Sequence, residues 1–222
     1  KVVGKPRDKE AFSKALSPYM LRRTLESCLP DIPESVEQLI EVEVPGAVRK
    51  AINDLKTEYR IQHGDTFEVV GAGGLLTAIR SLTVDTKIEA LLDLLEDIPE
   101  GEQIVVFAWY RETIRKIADA VKNCVHFTGE NSIEERVEAI KQFSSGQVPI
   151  LVASIGTVQE GINLQNARYA VFIEEDWLGA INEQAVARLR RRGQDRTVLK
   201  YVIMTKSTID GSVHRRQAKR LE

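Results

Sequence analysis

Gln103-Ile104-Val105-Val106-Phe107-Ala108 starts with one polar residue and then runs apolar without interruption up to Trp109-Tyr110. A strand with one wet face alternates; an unbroken apolar run is expected to be covered on both faces, as a strand inside a parallel sheet is. The flanking chain repeats this signal. Upstream, Ile88, Leu91, Leu92, Leu95 and Ile98 predict an amphipathic helix, with Asp85 or Thr86 as its cap. Downstream, a helix over 111–122 leads to a strand at Val125-His126-Phe127, a helix over 132–144 and a strand from Pro149 to Ser154. Tyr169 to Ile173 and Val198 to Met204 complete the set. Apolar strands alternating with helices of about a dozen residues predict an α/β fold, a parallel sheet with helices on both faces. In such sheets ligands meet the loops beyond the carboxyl ends of the strands. The residues to watch are therefore Trp109, Tyr110, Thr128, Gly129, Ser154 to Gly161, and Glu174 to Trp177.

Residues 1–84 read differently, as a connector with helical segments leading into a lobe over 85–222. Phe12, Ala15, Leu16 and Tyr19 can share a helix face, with Pro18 interrupting the register. Pro30 and Pro33 forbid a continuous helix after it. Val36 to Val44 has a strand pattern stopped by Pro45-Gly46, and 47–62 reads as an amphipathic helix with Val48, Ile52, Leu55 and Tyr59 on one side. Gly71-Ala72-Gly73-Gly74 lacks the Gly-Lys-Ser/Thr ending of a phosphate loop and reads as a hinge or helix start, followed by a short helix from Leu75 to Leu82.

The 222 residues carry a net charge of −2, which argues against nucleic-acid binding through bulk positive charge; any such binding must be local. No secretory leader and no run of eighteen apolar residues is present, so no membrane role is expected and a cell interior is: cytoplasm for a prokaryotic or viral source, nucleus for a eukaryotic one. Cys28 and Cys124 are far apart and fit a reducing compartment. His63, His126 and His214 are too scattered for a zinc site and read as loop or surface residues, and no protein-bound transition metal is expected. Glu174-Glu175-Asp176 follows an apolar strand and could hold magnesium; without a phosphate loop beside it, capping or interlobe contact is the better reading. Phe107, Phe127 and Phe172 read as core, whereas Trp109 and Trp177 sit at strand ends. The chain opens on Lys1 and is expected to be a piece of a longer protein.

Five arginines lie between 188 and 196. On a helix, Ile181, Ala185 and Leu189 form an apolar stripe, and Gln184, Arg188 and Arg191 share the neighbouring face, with Gly193 ending the helix. Paired guanidiniums on a buried-backed helix suit the oxygens of a phosphate chain. The plain alternative is a solvated basic face.

Gln184, Ala185, Arg188, Arg191, Gly193 and Gln194 match the last signature motif of the superfamily-two helicase-like ATPases, in its Swi/Snf form. The family usually has His where Arg190 stands and an apolar residue at Arg192. Other segments resemble the same family in order and spacing: Pro18-Tyr19 with Leu21-Arg22-Arg23-Thr24 and Leu29-Pro30, Ile104 to Tyr110, Phe127-Thr128-Gly129 with Arg136, and Gly161-Ile162-Asn163-Leu164. Asp176-Trp177 and Thr208-Ile209-Asp210 complete the series. Val158-Gln159 replaces a glycine pair and Leu178-Gly179 an Asn-Pro pair. The resemblance implies a second RecA-like lobe with its connector, part of an ATP-dependent translocase on double-stranded DNA. It implies ATP and magnesium bound mainly by a first RecA-like lobe outside this chain, with Arg188 and Arg191 as arginine fingers and Gln184, Gly161 and Asn163 lining the nucleotide side. Trp109, Thr128, Gly129, Ser154 and Thr157 would meet nucleic acid, mostly as phosphate contacts that fix register without reading sequence. An RNA helicase lobe and a non-catalytic interaction module are the rival readings.

Overall fold

The computed structural model describes residues 8–20, 32–63, 72–158 and 162–221. The chain forms two compact units, Lys1–Ile32 and Pro33–Glu222. In the first, α1 (Lys9–Leu16) is capped by Asp8, whose carboxylate accepts the amides of Glu10 and Ala11. Leu21 to Asp31, including the Leu-Arg-Arg-Thr run, lies outside the described residues, as does Gly161.

The second unit is built on six strands: β1 (Ser35–Val42), β2 (Ile104–Ala108), β3 (Cys124–Phe127), β4 (Ile150–Ser154), β5 (Tyr169–Phe172) and β6 (Val198–Thr205). They form one sheet in the order β1-β6-β5-β2-β4-β3, with every pairing parallel. The apolar run chosen from the sequence is its central strand, and β2 is buried along its whole length. Alternate residues of β2 serve two cores, as the pleat requires. Val105 and Phe107 join Phe143, Leu164, Ala185 and Leu189 on one face. Ile104, Val106 and Ala108 join Leu91, Ile114 and Ile117 on the other. Helices α4 (Arg111–Ala120) and α5 (Ile133–Ser144) therefore cover opposite faces. α5 starts with a reciprocal capping box between Ser132 and Glu135.

Two expectations need correction. α2 (Gly46–His63) is where the sequence put it, but the short helix 75–82 and the helix from Asp85 are one 26-residue helix, α3 (Ala72–Asp97). Nothing between Leu82 and Asp85 breaks a helix; what changes there is the core being served. Leu75 and Ile79 pack with Val44 and Ile52 in a small core with α2, while Val84, Ile88 and Leu91 turn onto the sheet. Asp85 caps nothing and instead pairs with Lys116 at 2.8 Å. Gly73 and Gly74 lie in the first turn of α3, so the helix-start reading holds for them. The expected boundary at 84/85 falls inside this helix, and β1 pairs with β6 throughout its length as the sheet's edge strand.

The second correction concerns the arginines. After α6 (Ile155–Val158), α7 (Gly179–Val186) ends before Arg188. The amides of Arg188 and Leu189 bond three residues back, to Ala185 and Val186, which tightens the last turn. Arg188 and Arg191 thus leave a run of turns instead of a regular helix face. Gly193, at φ +101°, closes that run. The apolar stripe survives, with Ala185 and Leu189 fully buried and Ile181 packed against the same core. α8 (Asp210–Leu221) completes the fold. Among the described residues, no helix is long and apolar enough to cross a membrane.

Candidate functional site

Register places three of the watched positions in a row. Ala108 pairs with Ser154 and Phe127 with Ala153, so the carboxyl ends of the adjacent strands β2, β4 and β3 present Trp109, Ser154 and Thr128 side by side. Trp109 is 37% exposed and Gly129 is exposed. Thr128 is buried, and its amide and hydroxyl both reach Asn131 Oδ1, at 2.7 and 3.3 Å; its hydroxyl also accepts the amide of Glu130. It therefore shapes the loop that exposes Gly129. Thr157 is buried in α6, which packs on α7, so the end of β4 adjoins the helix that carries the exposed Gln184.

A second group forms around the arginine turn. The amide of Leu164 donates to the Arg188 carbonyl at 3.1 Å, tying the segment that carries Asn163 to the arginines. Asn163 is exposed, and its Oδ1 accepts the Gln165 amide. Gln194 is buried, and its side-chain nitrogen donates to the carbonyls of Gln165 and Ala167, both at 2.9 Å. A side chain on Gly193 would come within 3.2 Å of Gln165, besides occupying a left-handed backbone. The Gly-Gln ending is thus a clamp that seats the arginine turn on the 162–167 segment. Arg190 is directed elsewhere, its Nε donating to the Pro33 carbonyl at 3.0 Å.

Glu174 is a helix cap. One carboxylate oxygen accepts the amides of Trp109 and Tyr110 at 2.9 and 3.0 Å, and the other accepts the Thr113 hydroxyl at 2.9 Å. A buried anion at the positive end of α4 is stabilised by those donors and by the helix dipole. Asp176 accepts the Leu178 amide, while its own amide and carbonyl engage Asn182.

Behind this bend lies a set of buried charges that sequence reasoning missed. Lys87 pairs with Asp210 at 2.6 Å and donates to the Ile173 carbonyl. Lys200 meets Glu37, Glu175 and Glu183 at 2.6, 3.4 and 3.7 Å. Burial works against the Lys200 charge, yet the carboxylates outweigh it and its pKa is raised. His214, read as a loop or surface residue, instead sits on α8 with Nδ1 3.0 Å from Glu175 and Nε2 3.6 Å from Glu37. The hydrogen bond to Glu175 raises its pKa above the usual 6.5, with Glu37 adding and both burial and Lys200 opposing.

A raised pKa in the folded state means that the charged imidazole stabilises the fold. That contribution is complete below about 6.5 and is lost as pH rises through the raised value. Urea melts from pH 5 to 9 are expected to show the wild type losing its advantage over His214→Gln as pH rises. An advantage that grows with pH would contradict the geometry.

The profile of the helicase conserved C-terminal domain matches residues 86–193. The chain is 27% identical, over 94% of its length, to the uncharacterised ATP-dependent helicase MG018 of Mycoplasma genitalium, of which it spans 22%. It is 26% identical over 88% of its length to the human DNA annealing helicase and endonuclease ZRANB3, of which it spans 19%. It thus covers about a fifth of the length of these relatives. The C-terminal part of the Fun30 ATPase domain superposes with a TM-score of 0.73 at 15% identity, covering 84% of this chain and 90% of that one. The C-terminal domain of the Sulfolobus solfataricus SWI2/SNF2 ATPase gives 0.67 at 14%, covering 85% and 87%. Residues 86–193 thus match the helicase conserved C-terminal domain, and the parallel sheet has the RecA-like fold of those ATPase C-terminal lobes.

Proposed function

We propose that this chain is the second motor lobe of an ATP-dependent translocase on double-stranded DNA, working inside a cell. ATP and magnesium sit mainly on a first RecA-like lobe of the same protein, and this lobe closes over them. Gln184, Gly161 and Asn163 face the nucleotide, and Arg188 and Arg191 neutralise charge on the departing γ-phosphoryl group. Trp109, Gly129 and Ser154 lie along one strand of the duplex, with the buried Thr128 and Thr157 holding their loops in shape. Closing and opening of the cleft then moves the grips of the two lobes relative to each other.

The observation that carries this reading is the seating of the arginine turn: Leu189 buried, the Arg188 carbonyl bonded to Leu164, and Gln194 clamping the same segment. A solvated basic face needs no such anchoring, whereas a transition-state charge is stabilised best by donors that are already in place. DNA is favoured as the track by the relative named as a DNA annealing helicase.

Binding tests it. With a net charge of −2, the chain alone neutralises few phosphates, so its affinity for a duplex is expected to be weak, indifferent to sequence and lowered by salt with the shallow slope that few phosphate contacts give. Attaching the first lobe should tighten binding beyond either lobe alone, because tethering makes the second grip intramolecular. Titration over several salt concentrations separates the cases, and sequence-selective, salt-insensitive binding by the chain alone overturns the proposal in favour of a recognition module. The chain alone is also expected to turn over no ATP above background, in a phosphate-release assay with and without duplex.

A further inference from the structure

Arg80 lies on α3, and its side chain is about 1% exposed. No ion pair among the described residues includes it. Nη2 donates to the Glu175 carbonyl at 3.0 Å and the guanidinium lies 5.2 Å from the centre of the Trp177 ring, while Nε and Nη1 have no hydrogen-bond partner. Burying a guanidinium with so little compensation is unfavourable, and an apolar residue of similar volume would serve a purely structural purpose at least as well. Its position gives the reason for keeping it.

Glu175 to Trp177 is the bend that leads from β5 into α7, and α7 leads directly into the Arg188–Arg191 turn. From the other side α8 presses on the same joint: Gln217 Nε2 donates to the Asp176 carbonyl at 2.6 Å, and a side chain on Gly179 would meet Gln217 at 3.2 Å. That close approach also accounts for glycine at this position, where the family has proline. The joint is thus held between Arg80 on α3 and Gln217 on α8, and α7 has little freedom to swing.

We infer that Arg80 is a positioning residue for the arginine turn: by fixing the Glu175–Trp177 bend it sets the direction in which α7 delivers Arg188 and Arg191. This rests on the proposed role of those arginines. A displacement of about 1 Å at a reacting group costs up to about 100-fold in rate even when its cause is remote. Loss of Arg80 therefore appears in turnover and leaves the KM for ATP nearly unchanged.

The test uses the full-length protein with Arg80→Met, Arg80→Lys, Arg188→Ala and the double variant Arg80→Met/Arg188→Ala, each assayed for DNA-stimulated ATP turnover and for thermal unfolding. Arg80→Met is expected to lower kcat by about 10–100-fold, with KM and melting temperature close to wild type. Arg80→Lys, whose ammonium can still donate to the Glu175 carbonyl, should recover part of the rate. In the Arg188→Ala background, Arg80→Met should cost less than in the wild type, because one of the two groups it positions is gone. Wild-type kcat in a folded Arg80→Met protein overturns the inference while leaving the finger role intact. Should Arg80→Met fail to fold, Arg80→Lys carries the test, alone and combined with Arg188→Ala, and equal losses from it in both backgrounds reject the inference. Normal turnover in Arg188→Ala alone overturns the proposed function itself.

Discussion

Arg188→Ala or Arg191→Ala in the full-length protein is expected to cut ATP turnover by about 1,000-fold, or about 4 kcal/mol of transition-state stabilisation, while nucleotide affinity changes little. Single arginine fingers are worth roughly 10³–10⁵ in rate, and two sharing the task place each at the lower end. Arg190 provides the internal control. Its guanidinium reaches back to the Pro33 carbonyl at the entry to β1, so Arg190→Ala should leave turnover near wild type and cost on the order of 1 kcal/mol of stability. Steady-state turnover and nucleotide binding measured on the three variants decide the matter. Equal losses at 188, 190 and 191 would mean a general basic patch, and a loss confined to binding would mean that the arginines serve the ground state.

The largest stability effect is expected at Lys87. Its ammonium and the Asp210 carboxylate meet at 2.6 Å with side chains 1% and 7% exposed, and Asp210 also accepts the amide and hydroxyl of Thr205 at 3.1 and 2.8 Å. Burial alone would push the Asp210 pKa up, but Lys87 and Thr205 outweigh it and hold the carboxyl below its usual range. Lys87→Ala leaves that carboxylate buried and uncompensated, at a cost of roughly 3–5 kcal/mol. For a chain of this size the melting temperature should fall by about 6–20 °C. Lys87→Met/Asp210→Asn, which removes both charges while keeping an acceptor for Thr205, should recover a substantial part of the loss. A Lys87→Ala protein within about 1 kcal/mol of wild type would show that the pair contributes little.

Composition and periodicity were enough for the central sheet, because β2, β4 and β5 are buried on both faces and a residue buried from both sides must be apolar whatever its neighbours are. They were enough to identify the stripe of Ile181, Ala185 and Leu189 and to offer capping as a role for the 174–176 acids, a role that Glu174 fills by accepting from Trp109, Tyr110 and Thr113. The helix break before Asp85 was misread since a change in which core a stripe faces looks, along one dimension, like the end of a helix. The arginine turn was misread as a helix face because Arg188 gives its carbonyl to Leu164, a partner twenty-four positions away in the chain, and no local spacing announces that bond.

What the sequence determined by itself is whatever depends on a residue's own chemistry and its near neighbours: the apolar strands, the glycine that must take a left-handed turn, and the order of motifs along the chain. What only the tertiary structure decided is which charges go inside. Arg80, Lys87, Lys200, Glu174, Glu175 and Asp210 look like surface residues one at a time, since a lone charge belongs in water. Each can be buried because its partner arrives from a distant element: Asp210 to Lys87, Glu37 and Glu175 to Lys200, the Glu175 carbonyl to Arg80. Pairing of that kind is a property of the packed sheet and helices, set by distances that do not exist until the chain has folded.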